Sequence, residues 1–272
     1  MDFNALRIEK NTTFTQRLQN MSIQVADFFT TTNAVGKIRE SDYRDAQFFI
    51  NAAKSFARST HQCVYVIDYF KQGFIYVSES LAHLCGKTSE EIMDMGYELY
   101  IRHVPSEELV MLTEINETGF KFFYNIPVEE RMNYIITYDF HLVNDKKKIL
   151  IHHQITPLAL NEDGRVWLAL CTISMSSHNM PGKIVMRKDG CDVYYEYNIK
   201  YKRWEEKRML ALNDIEKDIL RLSAQGYTIA DIANHLFKSV DTIKGYKRLL
   251  FKKMDVRNIA EAVSTATNYR ML

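Results

Sequence analysis

The chain has 272 residues, 46% of them hydrophobic and 25% charged, with a formal net charge of +1. That composition is typical of folded domains in water, and the longest apolar runs, such as VWLALCTI at 166–173, are far shorter than the ~20 residues that a membrane helix needs. Residues 1–10 lack a basic segment followed by an apolar one, so we expect neither a secretory signal nor a membrane partner.

Charge is divided unevenly along the chain. Residues 1–182 contain 17 lysines and arginines against 22 acidic residues, whereas residues 183–272 contain 18 against 12. An acidic first part and a basic second part suggest a division of labour between two regions. Ordinary scatter in composition is the alternative explanation at this point.

Residues 1–59 are predicted to form a helical extension. Within it, SDYRDAQFFINAAKSFARS at 41–59 begins with Ser41, which can cap a helix. Apolar residues recur at helical spacing along this segment and form a broad apolar face that must be covered: Phe48, Phe49, Ala52, Ala53 and Phe56. The preceding FFTTTNAVGK is rich in Thr, Asn and Gly, which favours a loop.

From residue 61 the pattern changes to strands and short helices. CVYVIDY at 63–69 and FIYVS at 74–78 flank the turn KQG and predict a β-hairpin. Three short helices are predicted next, at 80–84, within TSEEIMDMG and at 105–116. Three long strands follow at 133–144, 148–160 and 166–175, and the polar turns DKKK and NEDGR between them are typical of an antiparallel meander.

This order of elements over residues 60–176 resembles a PAS domain. The run from VIDY to GFIYVSESLAHLCGKTSEEIM is close to the usual strand–helix–helix phrase of that family. The resemblance implies a sensor domain that binds a small ligand or a protein partner. A different α+β sensor fold of the same size is the alternative.

No metal, cofactor or catalytic chemistry is predicted. His103 is a lone histidine, which favours a hydrogen-bonded side chain over a haem ligand, and Cys85 lacks the context of a flavin-binding photosensor. His152 and His153 fall on a predicted strand, so their rings point to opposite faces and cannot bind one ion together. The widely spaced cysteines form no CxxC pair and indicate reduced thiols in a cytoplasm: Cys63, Cys85, Cys171 and Cys191. We therefore predict that the protein is not an enzyme.

Residues 177–210 are predicted to form a structured connector. VMRKDGCDVYYEYN at 185–198 is a candidate hairpin around Asp189-Gly190, a strong turn dipeptide. The segment contains too many aromatic residues for a disordered linker, namely Tyr194, Tyr195, Tyr197 and Trp204. We expect residues 183–204 to form a small packed hairpin that fixes one domain against the other.

Residues 211–272 return to helical spacing and predict four helices. Asn213 with Glu216, and Thr228 with an acid three residues later, are cap-and-acid pairs at the first two helix starts. The turn FKS leads into a third helix within SVDTIKGYKRLLFKKM at 239–254, and residues 258–272 form the fourth. Two short helices, a tight turn and a basic following helix predict a helix-turn-helix.

The third of these helices has two faces. Four apolar residues recur on one side and predict its packing face: Ile243, Leu249, Leu250 and Met254. Basic residues share the opposite face, and the first turn is the part that a recognition helix points into the major groove. A solvated face on an ordinary bundle helix is the alternative. The candidate DNA-binding residues are Thr228, Ser239, Asp241, Thr242, Lys244, Gly245, Tyr246, Lys247, Arg248, Lys252 and Lys253.

The pattern L…E..IL.L.A.G.T..DIA..L..S..TIK.Y…L..K over residues 211–270 resembles the DNA-binding domain of LuxR-type regulators. The resemblance implies that Glu216 is the first-helix acid of that family and that Thr242, Ile243 and Lys244 match its TVK at the start of the recognition helix. It also implies that Arg248 contacts a base or a phosphate and that Lys253 is the lysine near the helix end.

Three features depart from that family pattern. Asn213 and Asp214 stand where T-x-x-E runs usually begin, and Tyr246 replaces a frequent histidine. Gly245 lies inside the recognition helix, where glycine costs ~1 kcal/mol of helix propensity relative to alanine. It either lets the backbone approach DNA closely or is simply tolerated.

The predicted fold class is α+β: a PAS-like antiparallel sheet with flanking helices, followed by an all-α four-helix helix-turn-helix domain. We predict a cytoplasmic transcriptional regulator that binds double-stranded DNA as a homodimer, with a PAS-like domain that senses a small ligand or partner. The predicted dimer surfaces are residues 41–59 and the fourth helix, with Ile259, Ala262, Val263 and Ala266. The alternative is a ligand-independent dimeric scaffold, which a sensor core filled by its own aromatic residues would favour over one with a large pocket.

Overall fold

The computed structural model of the chain describes residues 23–144, 147–269 and 271–272. Residues 1–22 of the predicted helical extension, and Asp145 and Lys146 of the predicted turn, lie outside these ranges. The helices within them are α1 (Glu40–Thr60), α2 (Glu79–Cys85), α3 (Ser89–Met95), α4 (Glu98–His103), α5 (Ser106–Tyr124), α6 (Asp214–Ala224), α7 (Ile229–His235), α8 (Val240–Met254) and α9 (Ile259–Asn268). Short 3-10 helices occupy Val25–Phe28 and Val128–Asn133.

The strands form an antiparallel sheet in the order β2-β1-β5-β4-β3-β6-β7-β8. Their bounds are β1 (Cys63–Asp68), β2 (Gly73–Val77), β3 (Tyr134–Asn144), β4 (Lys147–Leu160), β5 (Val166–Met175), β6 (Gly182–Lys188), β7 (Val193–Asn198) and β8 (Arg203–Arg208). The predicted hairpin, intervening helices and three-strand meander are all present. The α+β fold class is confirmed, and the sequence missed α4, β8 and the 3-10 helix at Val128–Asn133.

The chain folds into two compact units. The first runs up to Arg131 and adds residues 141–148 and 157–171, and the second comprises residues 132–140, 149–156 and 172–272. No helix within the described ranges combines the length and the apolar character that a bilayer crossing requires.

In the first unit, α1 packs on the sheet through small residues. Ala46, Ala53 and Ala57 are buried against a cluster that includes Val64, Val66, Trp167 and Leu168. Of the apolar residues that the sequence singled out, only Ala53 lies on this packed side of α1. Its phenylalanines and Ala52 are exposed instead, with Phe48 at 77% and Phe49 and Phe56 at 40% each. Alanines allow the helix axis to approach the sheet closely, whereas a phenylalanine face would hold it away.

The predicted cap of α1 is also wrong. The helix begins at Glu40, so Ser41 lies inside its first turn, and Arg39 is the N-cap residue. The Arg39 backbone N–H donates to Asp42 Oδ2 at 2.9 Å. A carboxylate three residues into the helix thus satisfies the donor that precedes it.

In the second unit, β6, β7 and β8 extend the sheet from the edge of β3. Thr137 of β3 is paired with Val185 of β6, and Val185 is paired in turn with Glu196 of β7. The turn at Asp189-Gly190 is present as predicted, and Gly190 has a φ of 73°, which glycine adopts without strain. The predicted small hairpin is therefore part of a larger sheet rather than a separate element.

The helices of the second unit enclose two apolar clusters. One contains Leu212, Leu220, Leu250, Met254, Ala262 and Ala266. The other contains Ile219, Leu222, Ile232, Ala233 and Ile243. Because Ala262 and Ala266 are fully buried inside the domain, the fourth helix does not offer those residues as the second dimer surface that the sequence suggested.

Candidate DNA-binding site

Two short helices begin at capping residues that the sequence identified. Asn213 Oδ1 accepts the Glu216 backbone N–H at 2.9 Å, while Glu216 Oε2 accepts the Asn213 N–H, also at 2.9 Å. Thr228 Oγ1 accepts the Asp231 N–H at 3.2 Å and donates its own proton to Asp231 Oδ2. These reciprocal bonds fix where α6 and α7 start. Thr228, a candidate DNA contact, therefore already has a structural role.

The turn between α7 and α8 ends in a third cap. Ser239 Oγ accepts the Thr242 backbone N–H at 3.1 Å and lies 2.8 Å from Thr242 Oγ1. The turn itself places Phe237 at a φ of 51° with 94% of its surface exposed. Sequence reasoning did not select Phe237, although an aromatic residue in so short a turn is a signal that could have found it.

One side of α8 packs into the domain. Ile243 and Leu250 are fully buried and Met254 nearly so, as predicted, but Leu249 is 60% exposed. The predicted packing of Leu249 is therefore wrong, because the buried side follows residues 243, 250 and 254. Tyr246 is half-buried against the cluster around Ile232, so its ring supports the helix from within the domain.

The opposite side of α8 is exposed and basic. Lys244 Nζ lies 3.3 Å from Asp241 Oδ1, and both side chains are largely exposed. An exposed pair of this kind contributes little to stability and separates readily. Arg248 and Lys252 are exposed and form no ion pair with any described residue. Lys247 is half-buried, and burial lowers its pKa.

Lys253 differs from its neighbours because it has a partner inside the domain. Its Nζ donates to Glu216 Oε2 at 2.7 Å, and the Glu216 side chain is only 9% exposed. The same carboxylate oxygen accepts the Asn213 N–H. The carboxylate therefore joins the end of α8 to the start of α6. The assignment of Lys253 to DNA stays a prediction, and part of its charge is already neutralised.

Gly245 leaves an open place on the helix surface. A Cβ built at this position would meet no atom within 4 Å. The domain itself therefore does not require glycine here. The sequence left two explanations open. If glycine is simply tolerated in the helix, no binding partner is involved. If glycine lets the backbone approach another molecule closely, that molecule must be one outside the chain, such as DNA.

These features define a helix-turn-helix DNA-binding domain: a capped helix pair, a short turn and an exposed basic face on the second helix. Residues 211–266 match the family model described as GerE, bacterial regulatory proteins, luxR family. The chain thus contains a DNA-binding domain of the LuxR type, and the resemblance found in the sequence is confirmed for these residues.

Comparison with solved structures gives further likenesses. A phage VqmA–DPO complex is 16% identical, with 86% of this chain and 93% of that chain covered and a TM-score of 0.30. A Vibrio cholerae VqmA dimer without target DNA is 13% identical, with coverages of 76% and 82% and a TM-score of 0.24. A Vibrio cholerae VqmA–ligand–DNA complex is 12% identical, with coverages of 83% and 86% and a TM-score of 0.27. Likeness at this level carries no inference about ligand or site. No curated protein matches the chain.

The first unit holds a second candidate site, a cluster of buried aromatic residues. Tyr65, Phe74, Tyr97 and Tyr100 are all buried, and neighbouring rings have centroids 5.1–5.6 Å apart along the series. The hydroxyl groups of Tyr65 and Tyr100 share a hydrogen bond. Burial raises the pKa of both Tyr100 and the nearby Cys171 thiol, so these groups stay neutral. The cluster therefore consists mainly of apolar ring atoms, and its polar groups are the tyrosine hydroxyls and the Cys171 thiol.

Three buried histidines have defined surroundings. His103 Nδ1 is 2.8 Å from the Val143 carbonyl oxygen. His152 Nδ1 is bonded to Asp139, whereas His153 lies between the rings of Tyr138 and Phe140. Adjacent residues of β4 thus contact different faces, as the strand pattern predicted. Burial lowers the pKa of His153 to about 3, so that ring is neutral.

Proposed function

We propose that the protein is a sequence-specific transcriptional regulator that works in the cytoplasm as a homodimer. Residues 60–176 would sense a small ligand or a partner, and residues 211–272 would bind double-stranded DNA, with 177–210 as connector and 1–59 as a helical extension. The observation that carries the proposal is the exposed face of α8, where Lys244, Arg248 and Lys252 stand opposite a fully buried side. Like charges this close repel, and the phosphates of a duplex offset that repulsion.

Two kinds of contact are expected from this face. Lys244 and Arg248 are one turn apart near the start of α8, so both can enter the same major groove. An arginine can form two parallel hydrogen bonds to guanine, which discriminate by ~1–3 kcal/mol. Lys252 lies further along the helix, where contact with phosphates gives affinity without sequence information.

Salt titrations of single variants test this division. Arg248→Ala and Lys244→Ala should weaken binding to a duplex selected from a random pool more than binding to random DNA. Lys252→Ala should weaken both alike and lower the slope of log affinity against log salt by roughly 0.9. Lys87→Ala removes an exposed lysine of the first unit and is the matched control.

Two outcomes would contradict the proposal. Equal losses on both duplexes for all three α8 variants would reduce the helix to an electrostatic patch. Unchanged affinity in all three variants would show that α8 does not bind DNA.

The ligand-independent scaffold remains the second candidate function. It is favoured by the sensor cluster, since buried aromatic rings in mutual contact fill the space between β1 and α4. Ligand sensing is favoured by the hydroxyl groups of Tyr65 and Tyr100 and the thiol of Cys171, which are inward polar groups of the kind that orient a ligand.

A further inference from the structure

The helix α7 ends in a backbone conformation that usually belongs to glycine. The Lys238 N–H donates to the Ala233 carbonyl oxygen at 2.9 Å, and the Phe237 N–H donates to the Asn234 carbonyl oxygen at 3.2 Å. This pair of bonds closes a helix by placing one residue in the left-handed region, where Phe237 has a φ of 51°. The preceding helix α6 ends through the same pair of bonds, and there the corresponding residue is Gly226, with a φ of 85°.

Packing within the chain does not explain an aromatic residue at this position. A residue with a Cβ is strained in the left-handed region, whereas glycine is not. The Phe237 side chain is 94% exposed, the highest value among the large apolar residues in the described ranges. The other non-glycine residues with a positive φ in those ranges are all polar: His61, Gln72, Lys183, Lys202 and Asp255. A strained and exposed ring therefore indicates a contact outside the chain.

Phe237 lies at the end of α8 that contacts bases in a helix-turn-helix. It precedes the N-cap residue of α8 by two positions, so the two Cα atoms are at most ~7.6 Å apart. Val240, the first residue of α8, is 38% exposed and shares a side of the helix with Lys244 and Arg248, which follow at four and eight positions. Residues 237–242 are all exposed. Because the N-terminal end of a recognition helix contacts base edges, apolar surface adjoins the basic face there.

The chemistry of a phenylalanine ring selects among the groups that a duplex presents. The ring has neither a hydrogen-bond donor nor an acceptor, so it cannot read the polar atoms of the base edges. The apolar group in the major groove is the 5-methyl group of thymine, and phenylalanine is one of the side chains suited to contact it. Contact with the sugars and phosphates would instead add affinity without sequence information.

We propose that Phe237 contacts the 5-methyl group of a thymine beside the bases that Lys244 and Arg248 read, and that it contributes to the sequence preference. The inference rests on the proposed function, in which α8 enters the major groove. It adds an apolar contact to the basic ones. It also accounts for an aromatic residue at a position where glycine would fold without strain.

Deoxyuridine tests this contact, because it lacks only the 5-methyl group of thymidine and pairs in the same way. In the duplex that the natively purified full chain selects from a random pool, each thymine is replaced in turn. One replacement should weaken wild-type binding about fourfold, the factor expected for one buried methylene-sized group. Phe237→Gly should weaken binding to the unmodified duplex by at least as much. In that variant the same replacement should have no further effect, because the two partners of the contact are coupled.

Three comparisons separate the contact from the fold. Phe237→Gly relieves the backbone strain, so its melting temperature should equal or exceed that of the wild type. Phe237→Leu keeps an apolar side chain and should retain a response of at least about twofold to the deoxyuridine replacement. Met175→Ala removes an apolar residue that is 68% exposed at the end of β5, and it should change neither affinity nor response.

Four outcomes would overturn the inference. Equal losses in Phe237→Gly on the selected, substituted and random duplexes would place the ring on the sugar–phosphate backbone. Wild-type affinity of this variant on every duplex would assign the ring to a protein partner. A deoxyuridine effect that persists unchanged in the variant would assign the methyl group to another residue. A markedly lower melting temperature of the variant would show that the ring supports the fold.

The same measurements distinguish this inference from the proposed function. A wild-type chain that selects no duplex would overturn both. A selected duplex that binds equally well with deoxyuridine at every thymine position would overturn the thymine contact alone, because the effects of Arg248→Ala and Lys252→Ala do not depend on Phe237.

Discussion

Lys253 shows how a residue chosen from a charge pattern can serve the fold. In the sequence it belongs to a run of basic residues on α8, and in the structure it is bonded to Glu216, which is nearly buried. The partner is 37 positions away in the chain, so no local pattern reveals the contact. The neighbouring Lys252 has no such bond to a described residue and is exposed. The two lysines should therefore respond differently to the same substitution.

We predict that Lys253→Met destabilises the helices and that Lys252→Met does not. Removing Lys253 leaves a buried carboxylate with a backbone N–H but no cation, which costs about 1–3 kcal/mol. Lys252→Met should change stability by less than about 0.5 kcal/mol. Hydrogen exchange of peptides from α6 and α8 measures the difference. Equal protection in the two variants would show that the Glu216 bond contributes nothing.

The capping residues, by contrast, could be predicted from sequence alone. Asn213 and Thr228 act within three residues of themselves, so their hydrogen bonds depend only on local geometry. The same holds for the turn at Gly190. The cap at Ser41 failed because a competing carboxylate, Asp42, was in position to start the helix two residues earlier, with Arg39 as the N-cap residue.

At the scale of elements, α1 shows what periodicity leaves undecided. Helical spacing correctly predicted a helix at 41–59, yet two apolar stripes run along it, one of phenylalanines and one of alanines. The packed stripe is the alanine one. Periodicity shows which residues of a helix share an apolar side. It does not show how closely the helix axis must approach the sheet, and that distance decides whether alanines or phenylalanines pack there. The exposed stripe, with Phe48, Phe49 and Phe56, remains to be covered.

We predict that a second copy of the chain covers this stripe. Large exposed apolar patches mark interaction sites, and an aromatic residue at the centre of an interface carries much of its energy. Phe48→Glu should weaken the dimer by at least about tenfold, because the carboxylate would have to be desolvated. Analytical ultracentrifugation over a concentration series measures this. Met180→Glu changes another largely exposed apolar residue, at 67% exposure, and is the control. A wild-type chain that stays monomeric, or two variants that dimerise alike, would contradict the prediction.

The missed elements have a common cause. The helix α4 is a six-residue segment, ELYIRH, and β8 is RWEEKR. Neither segment has a clear period, since α4 is short and β8 is charged. Both are defined by what they pack or pair with, as β8 does in register with β7 from Val193 opposite Arg208 to Asn198 opposite Arg203.

At the scale of the whole molecule, the long-range pairing of strands was beyond the sequence. Local turns predicted each hairpin, but nothing local indicates that β6 pairs with β3, some fifty residues earlier, rather than standing apart. The pairing turns a predicted connector into part of one sheet. It also assembles the polar face that carries Lys183 and Glu196.

The ligand-sensing regulator and the ligand-independent scaffold should respond differently when all bound small molecules are removed from the protein. A ligand that binds only the folded chain at 100 times its dissociation constant adds about 2.7 kcal/mol to stability. For a chain of this size that corresponds to a melting temperature higher by about 5–10 °C. We predict that protein unfolded in guanidinium, desalted and refolded melts lower than natively purified protein by this amount and binds the selected duplex with altered affinity.

Adding small molecules back to the refolded protein decides whether their loss caused the lower melting temperature. A deproteinised low-mass extract of the producing cells should return both melting temperature and DNA affinity to the native values. If the extract restores neither value, the lower melting temperature reflects incomplete refolding. Circular dichroism of the refolded protein checks for this. The same extract added to a Tyr65→Phe, Tyr100→Phe double variant should restore less, because the hydroxyl groups at the aromatic cluster are gone. If refolded and native proteins melt and bind DNA identically, the aromatic cluster is a filled core, and the ligand-independent scaffold is the correct function.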